Sequence, residues 1–203
     1  MDFITVLDFT GVVVFAISGI RMAARKNYDM FGATVIGFAT ALGGGTLRDL
    51  LLDINPIFWM EDLRYIYFIL LAVPITIIFR RYLVKLKTPF FLYDTIGLAL
   101  YTIIGLQKAL NAGFGPTVSI MMGMITAVAG GVTRDVLLNE MPLIFRKEIY
   151  ATACLAGASL YFLLAWMGLS QIWCISIATS VIIILRLVSI KYKLGLPIPK
   201  FND

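Results

Sequence analysis

The chain has 203 residues, 60% of them hydrophobic and 14% charged, with a mean hydropathy of +0.91. Soluble domains carry about a quarter charged residues, so this composition excludes one and points to a chain embedded in a membrane. The net charge of +5 comes with no histidine and two isolated cysteines, which excludes histidine- or cysteine-built metal sites and a Cys/His nucleophile.

A membrane-spanning helix needs about 20 predominantly apolar residues. Runs of that kind occupy 3–20, 30–51, 63–79, 91–110, 116–138, 149–167 and 171–190. The chain between them is too short for a soluble domain, so the reading is one integral membrane domain over 1–203. The first run begins "MDFITVLDF", with an aspartate, Asp8, and no basic stretch ahead of it. Its positive charges, Arg21, Arg25 and Lys26, follow the apolar residues, which predicts an uncleaved helix with its N-terminus outside.

The second run contains "ATALGGGTLRDLLLD", with Gly43, Gly44 and Gly45 at mid-span, Thr40 and Thr46 on either side, then Arg48 and Asp49. Charged groups near the centre of a membrane helix cost about 2.5–3.5 kcal/mol each or more, so they turn to an interior and find partners. Adjacent glycines loosen a helix, and non-helical backbone at that depth survives only inside protein or along a water-filled cavity. The spacing predicts a broken second span lining a pathway.

The fourth run opens at Asp94. The fifth repeats the second as "AVAGGVTRDVLLN", with Thr126, Gly130, Gly131, Thr133, Arg134 and Asp135, and is expected to be broken likewise. A shift of 86 residues carries Asp8 onto Asp94, Gly11 onto Gly97, Gly19 onto Gly105, Gly37 onto Gly123, and Thr40 onto Thr126. It also carries Gly44, Gly45, Arg48 and Asp49 onto Gly130, Gly131, Arg134 and Asp135, and Pro56 onto Pro142. The chain is therefore read as two three-span repeats, about 3–80 and 89–167, with a seventh helix at 171–190. Three is odd, so the second repeat enters from the opposite side, giving the inverted repeats familiar from transporters. Sequence neighbours do not face each other on a helix, so Arg48 is expected to turn from Asp49 toward Asp8, and Arg134 toward Asp94.

The motifs lack a serine–histidine arrangement, paired carboxylates in an apolar pocket, or the lysine and spacing of a phosphate loop; an enzyme is not indicated. The basic residues follow membrane topology rather than a nucleic-acid surface. Inner loops hold Arg80, Arg81, Lys85 and Lys87, then Arg146 and Lys147. The tail holds Lys191, Lys193 and Lys200, with Arg186 close by, while Arg64 and Lys108 lie outside.

The two motifs and the continuation "NEMPLIFRKEIYA" resemble bacterial members of the trimeric intracellular cation channel superfamily, sequences also labelled glycine transporters. The resemblance covers nearly the whole chain. It implies seven transmembrane helices in two inverted repeats plus a seventh, and a homotrimer in a lipid membrane with one pore per subunit. It further implies passage of potassium in preference to sodium, no cofactor, and a pore lined by the second and fifth helices bent at Gly43–Gly45 and Gly130–Gly131. In bacteria the location would be the inner membrane. Animal members hold a phosphoinositide with basic residues ahead of the second bend; here that stretch reads "MMGMITAVAGG", so that lipid site is not expected. From residue chemistry alone, a carrier for a small zwitterion such as glycine stands beside the channel, because arginine suits a carboxylate and aspartate an ammonium.

Single cysteines introduced in 80–87 and in the C-terminal tail should react with an impermeant reagent only after the inner face is exposed. Labelling of the tail on intact cells would overturn the seven-span topology.

Overall fold

The computed structural model describes residues 3–79, 89–147 and 149–195. They form α1 (Phe3–Arg25), α2 (Met30–Leu51), α3 (Phe58–Glu61), α4 (Arg64–Ile78), α5 (Pro89–Asn111), α6 (Pro116–Leu137), a 3₁₀ turn (Leu143–Phe145), α7 (Ala151–Trp166) and α8 (Gln171–Tyr192). Among the described residues α1, α2, α6 and α8 are long and apolar enough to cross a membrane, and α4 and α7 are shorter apolar helices. Arg80, Arg81, Lys85, Lys87 and Lys200, which carried part of the expected charge asymmetry, lie outside the described residues.

The repeat is visible in the helix bounds. The 23-residue α1 and α5 begin 86 residues apart, as do the 22-residue α2 and α6. Local chemistry sets these limits. Asp29 caps α2 by accepting from the Gly32 N–H at 2.6 Å, which satisfies a donor left free in the first turn. At α6 the same position is Gly115, and Pro116 follows at the first helical position, where its missing N–H costs nothing.

Both helices end alike. Asp53 (φ 54°) and Asn139 (φ 52°) take the left-handed conformation that short polar side chains tolerate. The next N–H in each case, of Ile54 or Glu140, returns to the carbonyl of Asp49 at 2.9 Å or Asp135 at 2.8 Å. This six-to-one closure turns the chain back beneath its own helix. It brings the start of α3, and the 3₁₀ turn, up against the Arg–Asp pairs.

Helices α1 and α2 form one hairpin, α5 and α6 another, and α2 crosses α6 between them. Helix α4 packs on α1, α7 on α6, and α8 on α7 and α5. Within each hairpin a glycine permits the contact. A Cβ on Gly19 would meet the Thr40 hydroxyl, and one on Gly105 the Thr126 hydroxyl. The main apolar core, including Phe9, Val12, Phe15, Leu42, Leu98 and Tyr101, lies around α1, α2 and α5.

At one end of the bundle the Lys26 ammonium lies 2.6 Å from Glu140, tying the α1–α2 loop to the segment after α6. That contact holds the Glu140 carboxyl below its ordinary value of 4.5. A depressed carboxylate contributes stability at pH above its unfolded value and loses it as pH falls through the folded one. The thermal stability of Glu140→Gln should therefore fall less than that of the parent on acidification below about pH 4.5. The difference is small, because the pair is partly exposed. Parallel melting curves from pH 7 to pH 3.5 check it.

Candidate functional site

The two Arg–Asp pairs are buried: Arg48 and Asp49 are 1% exposed, Arg134 and Asp135 0%. Each arginine binds its own neighbour, contrary to the sequence expectation. Arg48 Nε donates to Asp49 Oδ1 at 2.8 Å, and Arg134 Nε to Asp135 Oδ1 at 2.8 Å. The reason lies in the returning chain. Asp49 Oδ2 accepts the Phe58 N–H at 3.0 Å and Asp135 Oδ2 the Leu143 N–H at 3.3 Å. That backbone bond draws the carboxylate toward the returning chain, and the long arginine side chain reaches its other oxygen. Each aspartate thus terminates its helix and neutralises an arginine.

The expected pairing across helices holds in the second repeat alone. Arg134 Nη1 donates to Asp94 Oδ1 at 2.9 Å and to Ser18 Oγ at 2.9 Å. In the first repeat Asp8 Oδ2 instead accepts the Tyr65 hydroxyl at 2.7 Å, and Arg48 forms no ion pair with it among the described residues. The Arg48 guanidinium carbon lies 5.3 Å from the centre of the Phe58 ring, which stands edge-on to Tyr65 at 4.7 Å.

Between these clusters α2 and α6 cross through their glycines. Neither helix breaks: α2 is helical through Gly43, Gly44 and Gly45, and α6 through Gly130 and Gly131. The expectation of broken helices is corrected. The glycines admit a neighbour. A Cβ on Gly44 would strike the Thr126 carbonyl oxygen, and one on Gly130 the Thr40 carbonyl oxygen, so each helix presses its backbone into the other. A Cβ on Gly45 would stand 2.5 Å from the Phe58 ring. At Gly131 it would stand 3.2 Å from the Tyr150 hydroxyl, 3.6 Å from Asp94 Oδ1 and 3.7 Å from Arg134 Nη2. Gly43 is roomier, with Thr133 Oγ1 at 3.4 Å, and both residues are half-buried.

The threonine hydroxyls have partners. Thr40, Thr126 and Thr133 donate to the carbonyls of Ile36, Met122 and Ala129 at 2.6, 2.6 and 2.9 Å, one turn back in their own helices. Thr46 accepts from Trp59 Nε1 at 3.0 Å. Of the four, Thr40 and Thr126 are fully buried in the hairpins, while Thr46 and Thr133 are half-buried.

Residue reading overlooked Ser18, Phe58, Tyr65, Tyr150 and Arg186. The two tyrosines carry a signal in the sequence: beyond Pro56 and Pro142 an offset of 85 in place of 86 carries Tyr65 onto Tyr150. Arg186, grouped by sequence with the charged tail, is 0% exposed and sits inside α8.

These features define a multi-pass, all-helical membrane protein with a duplicated, charge-bearing core. The sequence model of a family described as "Glycine transporter" matches residues 5–81 and again 91–166, two copies whose starts are 86 residues apart. The inner membrane protein YadS (UPF0126) of Escherichia coli K12 is 40% identical over 94% of this chain and 93% of its own. A UPF0126 membrane protein of Vibrio cholerae is 37% identical over 94% and 80%. Among solved structures, the TRIC trimeric intracellular cation channel orthologue from Rhodobacter sphaeroides superposes with a TM-score of 0.86 at 31% identity, over 96% of this chain and 100% of that one. A structure described as giving the basis for conductance through TRIC cation channels does so at 0.86 and 33%, covering 100% of both chains. The chain belongs to this family, the bacterial branch of the TRIC channel superfamily.

Three glycines separate packing from stiffening. Alanine raises helix propensity by about 1 kcal/mol over glycine. At Gly44 and Gly130 the new methyl meets a carbonyl fixed by the facing helix, and overpacking there costs about 1–3 kcal/mol or more. Gly44→Ala and Gly130→Ala should therefore lower the melting temperature, whereas Gly43→Ala should leave it unchanged or raise it. Thermal unfolding in detergent decides; equal melting temperatures for all three would remove the crossing contact from the account.

Proposed function

We propose that this protein is a passive channel for monovalent cations, passing potassium in preference to sodium. Its path runs along the half-buried side of the α2–α6 crossing, one path in each subunit of a homotrimer. The observation that carries this reading is full-length likeness, at 33% identity and a TM-score of 0.86, to a structure described as giving the basis for conductance through TRIC cation channels. In this reading the two repeats are inverted in the membrane and seven helices span it, with the N-terminus outside and the C-terminus in the cytoplasm.

The residue chemistry is compatible with cations despite the arginines. Arg134 is held between Asp94 and Asp135, so the ionised cluster carries one net negative charge. Arg48 is matched by Asp49, with Asp8 one helix away on α1. Arg134 is thus a fixed counterion to two carboxylates and Arg48 to one, and the surplus carboxylate in each repeat favours a cation at either end of the crossing. Gly43, Thr46 and Thr133 border the path, while Gly44, Gly45, Gly130 and Gly131 set how closely its walls approach. Thr40 and Thr126 hold the hairpins behind it.

The family description favours a second reading, a carrier for glycine or a similar zwitterion, in which the same arginines would take the carboxylate and the aspartates the ammonium. Purified protein in planar bilayers distinguishes the two. The channel reading expects unitary current steps that reverse at the potassium equilibrium potential, a trimer mass in mild detergent, and altered conductance or open probability in Arg48→Ala and Arg134→Ala. Saturable glycine uptake with no unitary steps would replace it by the carrier.

A further inference from the structure

The two repeats hold the same three side chains in different settings. In the first, the carboxylate of Asp8 is bonded to Tyr65, and the ion pair of Arg48 among the described residues is with Asp49. In the second, the carboxylate of Asp94 is bonded to Arg134, and the Tyr150 hydroxyl, buried beside Gly131, has no hydrogen-bond partner among the described residues. Asp94 Oδ2 is also buried without one among those residues. The Tyr150 hydroxyl and Asp94 Oδ1 stand 3.2 and 3.6 Å from the one point that a Cβ on Gly131 would occupy, and a hydroxyl and a carboxylate so placed, both shielded from water, form a hydrogen bond unless something holds them apart.

That something is visible on α8, the helix with no counterpart in the first repeat. The Arg186 guanidinium carbon lies 4.8 Å from the centre of the Tyr150 ring, and its Nη1 donates to the Ile149 carbonyl at 2.6 Å. It grips two consecutive residues at the start of α7, fixing both the backbone and the ring plane of Tyr150. Arg186 is fully buried, so this contact is not weakened by water.

We propose that Arg186 is a positioning residue that holds Tyr150 away from Asp94 and so keeps Asp94 on Arg134. The second repeat is then a two-setting switch whose other setting is the one displayed by Asp8 and Tyr65. When the grip on Tyr150 is released, its hydroxyl donates to Asp94, and Arg134 retains Asp135. The bundle end near Gly131 thereby changes its charge distribution without any helix moving far. The electrical part of the test rests on the channel reading; the spectroscopic part does not.

The test compares the parent with Arg186→Lys, Arg186→Gln, Tyr150→Phe and the double variants. Infrared spectra of protein carrying ring-deuterated tyrosine, with the Tyr150→Phe spectrum subtracted, isolate the Tyr150 C–O band. A Tyr65→Phe subtraction supplies the reference for a tyrosine bonded to carboxylate. The expected result is an unbonded Tyr150 band in the parent that moves to the Tyr65 position in Arg186→Lys or Arg186→Gln. In bilayers, the same arginine variants should change open probability about fivefold or more in the parent background and leave it unchanged in the Tyr150→Phe background. A Tyr150 band already at the Tyr65 position in the parent overturns the proposal, as does one that stays put in both arginine variants. An arginine effect that persists without the Tyr150 hydroxyl does the same. Absence of unitary current from the parent removes the channel reading only, and the infrared comparison still decides the switch. If one arginine variant fails to assemble, the other carries the comparison, and the parent band tests the unbonded setting by itself.

Discussion

The fold turns on a mutual backbone contact: the carbonyl of Thr126 fills the space that a side chain on residue 44 would need, and the carbonyl of Thr40 does the same at residue 130. In a lipid environment helices gain little from hiding apolar surface from one another, so association rests on close packing and on polar groups that find partners. The crossing supplies the first. It brings the C-terminal halves of α2 and α6 into the protein interior, and the Arg–Asp pairs that follow are buried because of it. Without glycine at 44 and 130 the helices would stand further apart, and four charged side chains would lose their dry, partnered surroundings.

Those charged side chains in turn organise the turns. Asp49 and Asp135 accept from the backbone of the returning chain, while their other oxygens hold the arginines. One residue type thus ends a helix, anchors a loop and compensates a buried charge. The outcome differs between the repeats. The first loop carries a short helix whose Phe58 ring covers Gly45, while the second carries a 3₁₀ turn with the smaller Leu143, and the space beside Gly131 is bordered by Tyr150, Asp94 and Arg134. Among the described residues, the Arg186 grip on Tyr150 belongs to that side.

Much of this was readable in the amino acids, and the unread part has definable causes. The helix limits followed from apolar run length and the duplication from matched glycines, prolines and charges at one spacing; both depend on local pattern. The partner of Asp94 was anticipated because helix direction fixed its depth. The partner of Asp8 was missed, because Tyr65 competes for it and the one-residue change of offset hid the tyrosine match. The bond between adjacent Arg48 and Asp49 was also missed, since helix-face reasoning ignores what the next loop does to a terminal carboxylate. A run of glycines at mid-span suggested a break, yet the same residues let an unbroken helix be touched closely. Sequence cannot separate those two uses, because the difference lies in the facing helix.

The reciprocal crossing also constrains how the two copies can drift apart in evolution. Enlarging residue 44 disturbs the second copy's backbone, and enlarging residue 130 disturbs the first, so neither position can change on its own account. The flanking positions are under no such bond: Gly43 corresponds to Ala129, Thr46 to Val132 and Leu47 to Thr133. Around a shared pair that stays glycine in both copies, the chain has diversified. A duplicated gene has thereby kept one joint in common while its halves acquired separate surroundings.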